Sequence, residues 1–378
     1  MKKCIVISDS FKGTLSSLEI CQLAQESIPH IFPECEVTAI PVADGGEGTV
    51  SCFINAIQAT PVTVETTGPY GEPLRAVYAR SGHCAVVEMA CAAGLPLVGS
   101  LLNPEETSTY GVGTVIRHAI ENGCGEILLG LGGSATNDGG CGCAAALGVR
   151  FYDADGTEFV PLGKTLGNIA HIDTTQADTL LKDVNLTVMC DVDNPLCGPT
   201  GAAHMFAPQK GADAEMVARL DESLCKLAHI IESQLNVNIA QLPGSGAAGG
   251  MGGGCVAFLG AELKPGIEAI LDLVDFDSHL QETDLVITGE GRIDYQSLHG
   301  KVISGVAKRT QSNHVPLIAI VGSIDESASA AYDIGVTAMF GINREGKDFS
   351  EYAHLSRDNY QRTLEDVLRC IRMAERFS

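Results

Sequence analysis

Basic residues are scarce in this chain: 24 lysines and arginines stand against 47 aspartates and glutamates, giving a formal charge of -23 over 378 residues. A field of that sign repels phosphate backbones and anionic lipid, so neither a nucleic-acid partner nor a membrane partner is expected. An anionic small substrate then needs locally placed cations or a metal. Uninterrupted apolar runs of about 18 residues are missing, which excludes a helical membrane span. The amino-terminal apolar run is cut short by Asp9, too early for a secretory leader. No CxxC pair occurs among the 14 cysteines, which sit mostly among small and apolar neighbours. They read as buried thiols of a cytoplasmic protein rather than as a disulfide framework. A Walker-type GxxxxGK[ST] loop is absent as well.

What is present is globular and organised by glycine. Forty-five per cent of residues are hydrophobic, and the length exceeds one ordinary core, so two domains are expected. Apolar runs at 4–8 and 36–42 are each followed by a polar, glycine-bearing loop and a helix, with Ser16 or Ser17 placed to cap the first helix. From residue 62 the texture changes to alternating strands at 62–67, 74–81 and 85–89 joined by turn residues, a meander. Further on, a strand at 126–129 leads into Gly130-Leu-Gly-Gly-Ser-Ala-Thr-Asn-Asp-Gly-Gly140 and a small-residue helix. A strand at 186–189 ends in Cys190-Asp191-Val192-Asp193-Asn194, and 214–234 has the spacing of an amphipathic helix. The glycine-dense segment 244–254 carries no charge run and reads as a close-packed loop and helix start, not a linker. The tail returns to βα texture, with strands at 285–287, 317–321 and 336–340.

Two βα units before residue 62 and three after about residue 282 predict an α/β fold: a flavodoxin-like, doubly wound parallel sheet of order 2-1-3-4-5, interrupted by a second α/β domain. The expected division is 1–61 with 282–378 for the discontinuous domain and 62–281 for the insertion. In such sheets ligands gather at the carboxyl ends of strands, near the switch point between strands 1 and 3, and a cleft between the domains is the expected site.

The stretch 288–301, Thr-Gly-Glu-Gly-Arg-Ile-Asp-Tyr-Gln-Ser-Leu-His-Gly-Lys, follows a buried-strand run and packs Glu290, Arg292, Asp294, His299 and Lys301 among glycines. The loop 130–140 has the form of a phosphate cradle, with Ser134, Thr136 and Asn137 in the turn and helix amides behind it. Lys12, Lys210, Arg292 and Lys301 are the sparse cations that fall in glycine-rich loops. Asp9, Asp44, Glu47, Asp138, Asp191, Asp193, Glu290 and Asp294 all follow strands, where a carboxylate is a helix cap or a ligand to a hard cation. Cations, hard oxygen ligands and an orienting base are what phosphoryl transfer needs. The same carboxylates leave open a metal-dependent hydrolase or a non-catalytic protein that closes on a small anion.

Five motifs in order, Asp9-Ser-Phe-Lys-Gly-Thr14, Ala43-Asp-Gly-Gly-Glu-Gly-Thr49, the 130–140 loop, Cys190-Asp-Val-Asp-Asn-Pro-Leu-Cys-Gly-Pro199 and Thr288-Gly-Glu-Gly-Arg-Ile-Asp294, resemble the bacterial type I glycerate kinases. Ser8 and Ala207 depart from that pattern, standing where proline and glycine are common. The resemblance implies phosphorylation of D-glycerate with ATP and Mg2+, giving 2-phosphoglycerate, with 3-phosphoglycerate or a different small hydroxy acid as the alternative. It also implies that the inserted domain resembles the restriction-endonuclease core. On that expectation Lys12, Lys301 and the loop Gly132, Gly133, Ser134, Thr136 and Asn137 hold ATP, Arg292 meets the glycerate carboxylate, and Asp191 with Glu290 places Mg2+. Asp294 orients the attacking hydroxyl, with Asp191 as its rival, in a monomer or homodimer.

Overall fold

The computed structural model describes residues 1–42, 49–56, 58–294, 297, 301–344 and 353–375. The chain packs as two compact units, Met1–Asp44 with Asn55–Gln58 and Pro265–Ser378, and Gly45–Ile54 with Ala59–Lys264. The helices Gly266–Leu273 and Phe276–Leu280 therefore pack with the first unit, upstream of the expected boundary at 282.

The first unit is built on five parallel strands, Lys3–Ser8, Glu36–Pro41, Leu285–Gly289, Leu317–Val321 and Ala338–Gly341. Numbered along the chain they lie in the order 2-1-3-4-5, the doubly wound arrangement read from the sequence. Leu285–Gly289 and Leu317–Val321 are buried at every residue, which is why they appear as continuous apolar runs rather than alternating ones. Strands 1 and 3 run in register from Cys4 against Leu285 to Ser8 against Gly289, and the Asp9 amide still donates to the Gly289 carbonyl at 2.9 Å. The switch-point loops thus leave the sheet side by side. Ser16, not Ser17, caps the helix Ser17–Ile31, in a reciprocal capping box with Glu19. Ser17 instead donates to the Ser8 carbonyl at 2.6 Å and accepts from the Val42 amide at 2.9 Å, tying the ends of two strands together.

The second unit carries a six-stranded sheet in the spatial order Glu262–Lys264, Asn185–Met189, Glu126–Gly130, Cys84–Glu88, Pro73–Ser81, Thr60–Thr67. Its last three strands form the antiparallel meander and the rest pair in parallel. A separate antiparallel sheet of Arg150–Tyr152, Glu158–Phe159 and His171–Asp173 has strands of two and three residues, too short to show a period in the sequence. The segment expected to be close-packed is so: Ala248, Gly249 and Gly250 take left-handed angles within Ala247–Leu259, all three buried.

One expectation about cysteine is corrected. Cys197 and Cys225 form a disulfide with Cα atoms 5.6 Å apart, while the other twelve are free. A spacing of 28 residues between a loop and a helix gives no pattern that local sequence reading recognises. Among the described residues, no helix is long and apolar enough to cross a membrane.

Candidate active site

In the first unit the site residues gather where strands 1 and 3 end. Glu290 is the residue directly after Leu285–Gly289, and the sheet buries it to 5% exposure. Its neighbours are glycines because other backbone crosses there. A Cβ on Gly289 would lie 2.0 Å from the Ile320 carbonyl, and one on Gly322 would lie 2.2 Å from the Gly291 carbonyl oxygen. The Gly322 and Ser323 amides donate to the Glu290 and Gly291 carbonyls, fixing the turn. Burial pushes the Glu290 carboxyl up to about 7. The Ser297 hydroxyl and the Lys301 ammonium pull the other way, while the Asp9 and Asp294 carboxylates add to the rise. Its Oε1 is buried with no hydrogen-bond partner. A buried carboxylate oxygen without a donor is costly, and a ligand cation is one remedy.

Around it the loops are polar. Asp9 Oδ1 accepts from the Ser10 amide at 2.6 Å, and the same loop brings Phe11 and Lys12 backbone to 3.4 and 3.5 Å from where a Cβ on Gly291 would be. Lys12 is exposed, and Lys301 is exposed at the start of the helix Val302–Ser312. Asp294 closes a small turn: its amide donates to Ser297 Oγ at 3.0 Å and its Oδ1 accepts from the Ser297 amide at 3.3 Å. Arg292 already has a carboxylate partner, Asp325, at 2.5 Å. Asp325 caps the turn Glu326–Tyr332, and the Ser327 amide together with the Arg292 guanidinium holds it down at about 2. Asp325 and Ser297 were not singled out in the sequence; an acidic residue four positions past a buried strand is the signal that would have found the former. Asp44, Glu47 and His299 lie outside the described residues.

In the second unit the loop after Glu126–Gly130 goes from half-exposed Gly132 and exposed Gly133 into complete burial: Ser134 is 8% exposed and Thr136, Asn137 and Asp138 are not exposed at all. Gly133 is left-handed at φ 71°. Thr136 Oγ1 and both polar side-chain atoms of Asn137 are buried without partners. The glycine segment 244–254 forms the back wall. A Cβ on Gly249 would lie 2.0 Å from the Thr136 carbonyl, and one on Gly254 2.2 Å from the Gly139 carbonyl.

The helix behind this loop corrects an expectation. It is Cys141–Ala146, six residues long, and its leading amides do not face outward for a ligand. Asp138 takes them, accepting from Gly140 at 3.2 Å and Gly142 at 3.3 Å, and from the Thr109 amide and hydroxyl at 2.7 and 2.8 Å. The anion at that terminus is the protein's own. A phosphate reading of the loop therefore rests on residues 132–137. Lys210 reaches the same loop, donating to Ser134 Oγ and the Thr136 carbonyl, both at 2.7 Å. The sequence marks Lys210 as a loop cation but gives no partner for it. Asp191 stands exposed in the loop that follows Asn185–Met189. Among the described residues no three His, Cys, Asp or Glu side chains are grouped to hold a metal.

Comparison with known proteins agrees along nearly the whole chain. The profile of the Glycerate kinase family matches residues 4–372. A protein named glycerate kinase from Bacillus cereus is 43% identical over 368 residues, covering 97% of each chain. One named glycerate 2-kinase from Escherichia coli K12 is 43% identical over 343 residues, covering 90% of each. A crystal structure described as glycerate kinase 2 from Salmonella typhimurium LT2 superposes with a TM-score of 0.88 at 40% identity, covering 99% of both chains. With a family match over residues 4–372 and relatives and a solved structure covering nearly the whole length, the chain belongs to the glycerate kinase family.

Proposed function

We propose that the protein is an ATP-dependent, cytoplasmic kinase that phosphorylates D-glycerate to 2-phosphoglycerate, as a monomer or homodimer, with Mg2+ as its metal. The γ-phosphoryl group passes from ATP to the substrate hydroxyl, the β–γ phosphoanhydride bond breaks, and the hydroxyl proton leaves. The observation that carries the reading is the buried Glu290 oxygen without a partner, at the switch point of a doubly wound sheet, in a chain 43% identical to a named glycerate 2-kinase.

Glu290 suits Mg2+, a hard cation that takes one or two carboxylates and completes its shell with water and phosphate oxygens, so a larger protein cluster is not required. Glu290 is the proposed ligand in the first unit. The chemistry that Mg2+ would supply there is neutralisation of charge on the transferring phosphates. Lys12, Lys301 and the 132–137 loop hold the nucleotide phosphates. Arg292 binds the substrate carboxylate, for which its planar fork is shaped, exchanging Asp325 for the ligand. Asp294, its carboxylate steadied by Ser297, orients the substrate hydroxyl.

Incubation with ATP, Mg2+ and D-glycerate, followed by phosphorus NMR, tests the reading. Magnesium-dependent 2-phosphoglycerate is expected. A 3-phosphoglycerate signal would revise the regiochemistry, and turnover only with another hydroxy acid would revise the substrate.

A further inference from the structure

Lysine is among the residue types least often fully buried, yet Lys210 is 1% exposed. It is delivered to the second unit's glycine loop by the short turn Pro208–Lys210, whose backbone leaves it little freedom. The Lys210 and Ala212 amides both donate to the Ala207 carbonyl, at 2.9 and 3.1 Å. Gly211 is left-handed at φ 97°, and a Cβ there would come within 2.5 Å of Leu102 Cβ. The ammonium is thus aimed by a rigid turn onto residues 74 and 76 positions earlier in the chain.

What it touches determines what it does. An ammonium only donates, so Ser134 Oγ accepts from it and that hydroxyl's own hydrogen points away from Lys210. The peptide between Thr136 and Asn137 is trans, as are all peptides among the described residues, so turning its carbonyl to Lys210 turns the Asn137 N–H to the opposite side. One cation therefore sets the direction of two donors in the loop.

We propose that Lys210 is a positioning residue for the nucleotide: by holding Ser134 Oγ it aims the Ser134 hydroxyl at the phosphates of ATP, and by holding the Thr136 carbonyl it fixes the buried peptide behind that hydroxyl. This rests on the reading of residues 132–137 as the phosphate loop. The charge of Lys210 is poised to respond to that ligand. Burial brings it down to about 7, opposed by the attraction of the Asp138 carboxylate, and a polyphosphate bound beside it draws the proton back.

Lys210→Met matches the unbranched stem of lysine but removes the cation. ATP affinity of the full-length protein is expected to fall about tenfold or more, the loss of a charge-assisted contact, with the KM for D-glycerate within about twofold. Calorimetry at pH 7 in buffers of different ionisation enthalpy should show more proton uptake on ATP binding for the wild type than for the variant, which a merely structural lysine would not produce. Lys210→Ala should regain ATP affinity with added propylamine and not with propanol, and this pair carries the test if the Met variant does not fold. Gly133→Val distorts the loop itself and serves as the control. Unchanged ATP affinity in Lys210→Met beside weakened affinity in Gly133→Val would overturn the role of Lys210 and leave the phosphate loop standing. Unchanged affinity in both would overturn the phosphate loop as well.

Discussion

Asp138 sets two large effects against each other, and replacing it with asparagine shows which wins. The carboxylate is wholly buried, and burial raises its pKa. Against that, it accepts from the Thr109, Gly140 and Gly142 amides and from the Thr109 hydroxyl. The hydroxyl's role is fixed, because Thr109 Oγ1 already accepts from the Cys143 amide at 2.8 Å and so donates its hydrogen to Asp138. All four partners are donors, and a proton on Asp138 would have none of them to donate to. In Asp138→Asn the oxygen is best placed where Oδ2 was, facing Thr109 and Gly142. The new NH2 then meets the Gly140 N–H donor to donor. Losing one charge-assisted bond and leaving that amide unsatisfied costs about 2–3 kcal/mol, and Asp138→Ala, which strands all four donors, about 4–5 kcal/mol. For a unit of this size the Asn variant should melt roughly 5–10 °C below the wild type at pH 8, read by circular dichroism. Were the cost of desolvation to outweigh the four hydrogen bonds, asparagine would relieve it, and a melting temperature equal to or above the wild type at pH 8 would refute the hydrogen-bond reasoning.

Glu290 has no such set of donors, so the sign reverses. Its folded-state pKa of about 7 lies above the ordinary 4.5, so the ionised form costs stability. The penalty is absent below pH 4.5, grows between the two values and is complete above about 7, reaching ~3 kcal/mol from that difference. Glu290→Gln, melted in EDTA, should therefore gain stability over the wild type at pH 8.5 and not at pH 4.5; parallel curves would contradict it. Arg292→Ala should raise the KM for D-glycerate at least tenfold while changing the melting temperature by less than about 3 °C, since its pair with Asp325 is exposed; an unchanged KM would remove Arg292 from the substrate site. Gly249→Ala must place a Cβ 2.0 Å from the Thr136 carbonyl at φ +68° and should cost more than ~3 kcal/mol in urea unfolding. Gly156→Ala, at φ +79° with nothing within 4 Å, should cost only about 1 kcal/mol.

The sheet of the first unit was legible because each of its buried strands is a short branched run ending in a glycine-bearing loop, and five such runs admit few topologies. Where elements are held by distant partners the sequence was silent. The three short strands between 150 and 173 carry no measurable period, and the Cys197–Cys225 pair has no spacing that announces it. Lys210 could be recognised as a cation among glycines, but its acceptors lie more than seventy residues away.

The carboxylates show the limit most directly, because in the sequence they are one pattern: an acidic residue just after an apolar strand. Folding gives them different chemistry. Asp138 is surrounded by donors and serves the loop's own backbone. Asp325 is half-exposed, capping a turn and pairing with Arg292. Asp191 faces solvent. Among these, Glu290 is the one that the sheet buries while leaving an oxygen without a donor. Local sequence sets which residues follow a strand, whereas the number of donors that the rest of the chain brings to each carboxylate decides whether it is structural or available to a ligand. By that criterion, Glu290 is the first carboxylate to replace in testing for a bound metal.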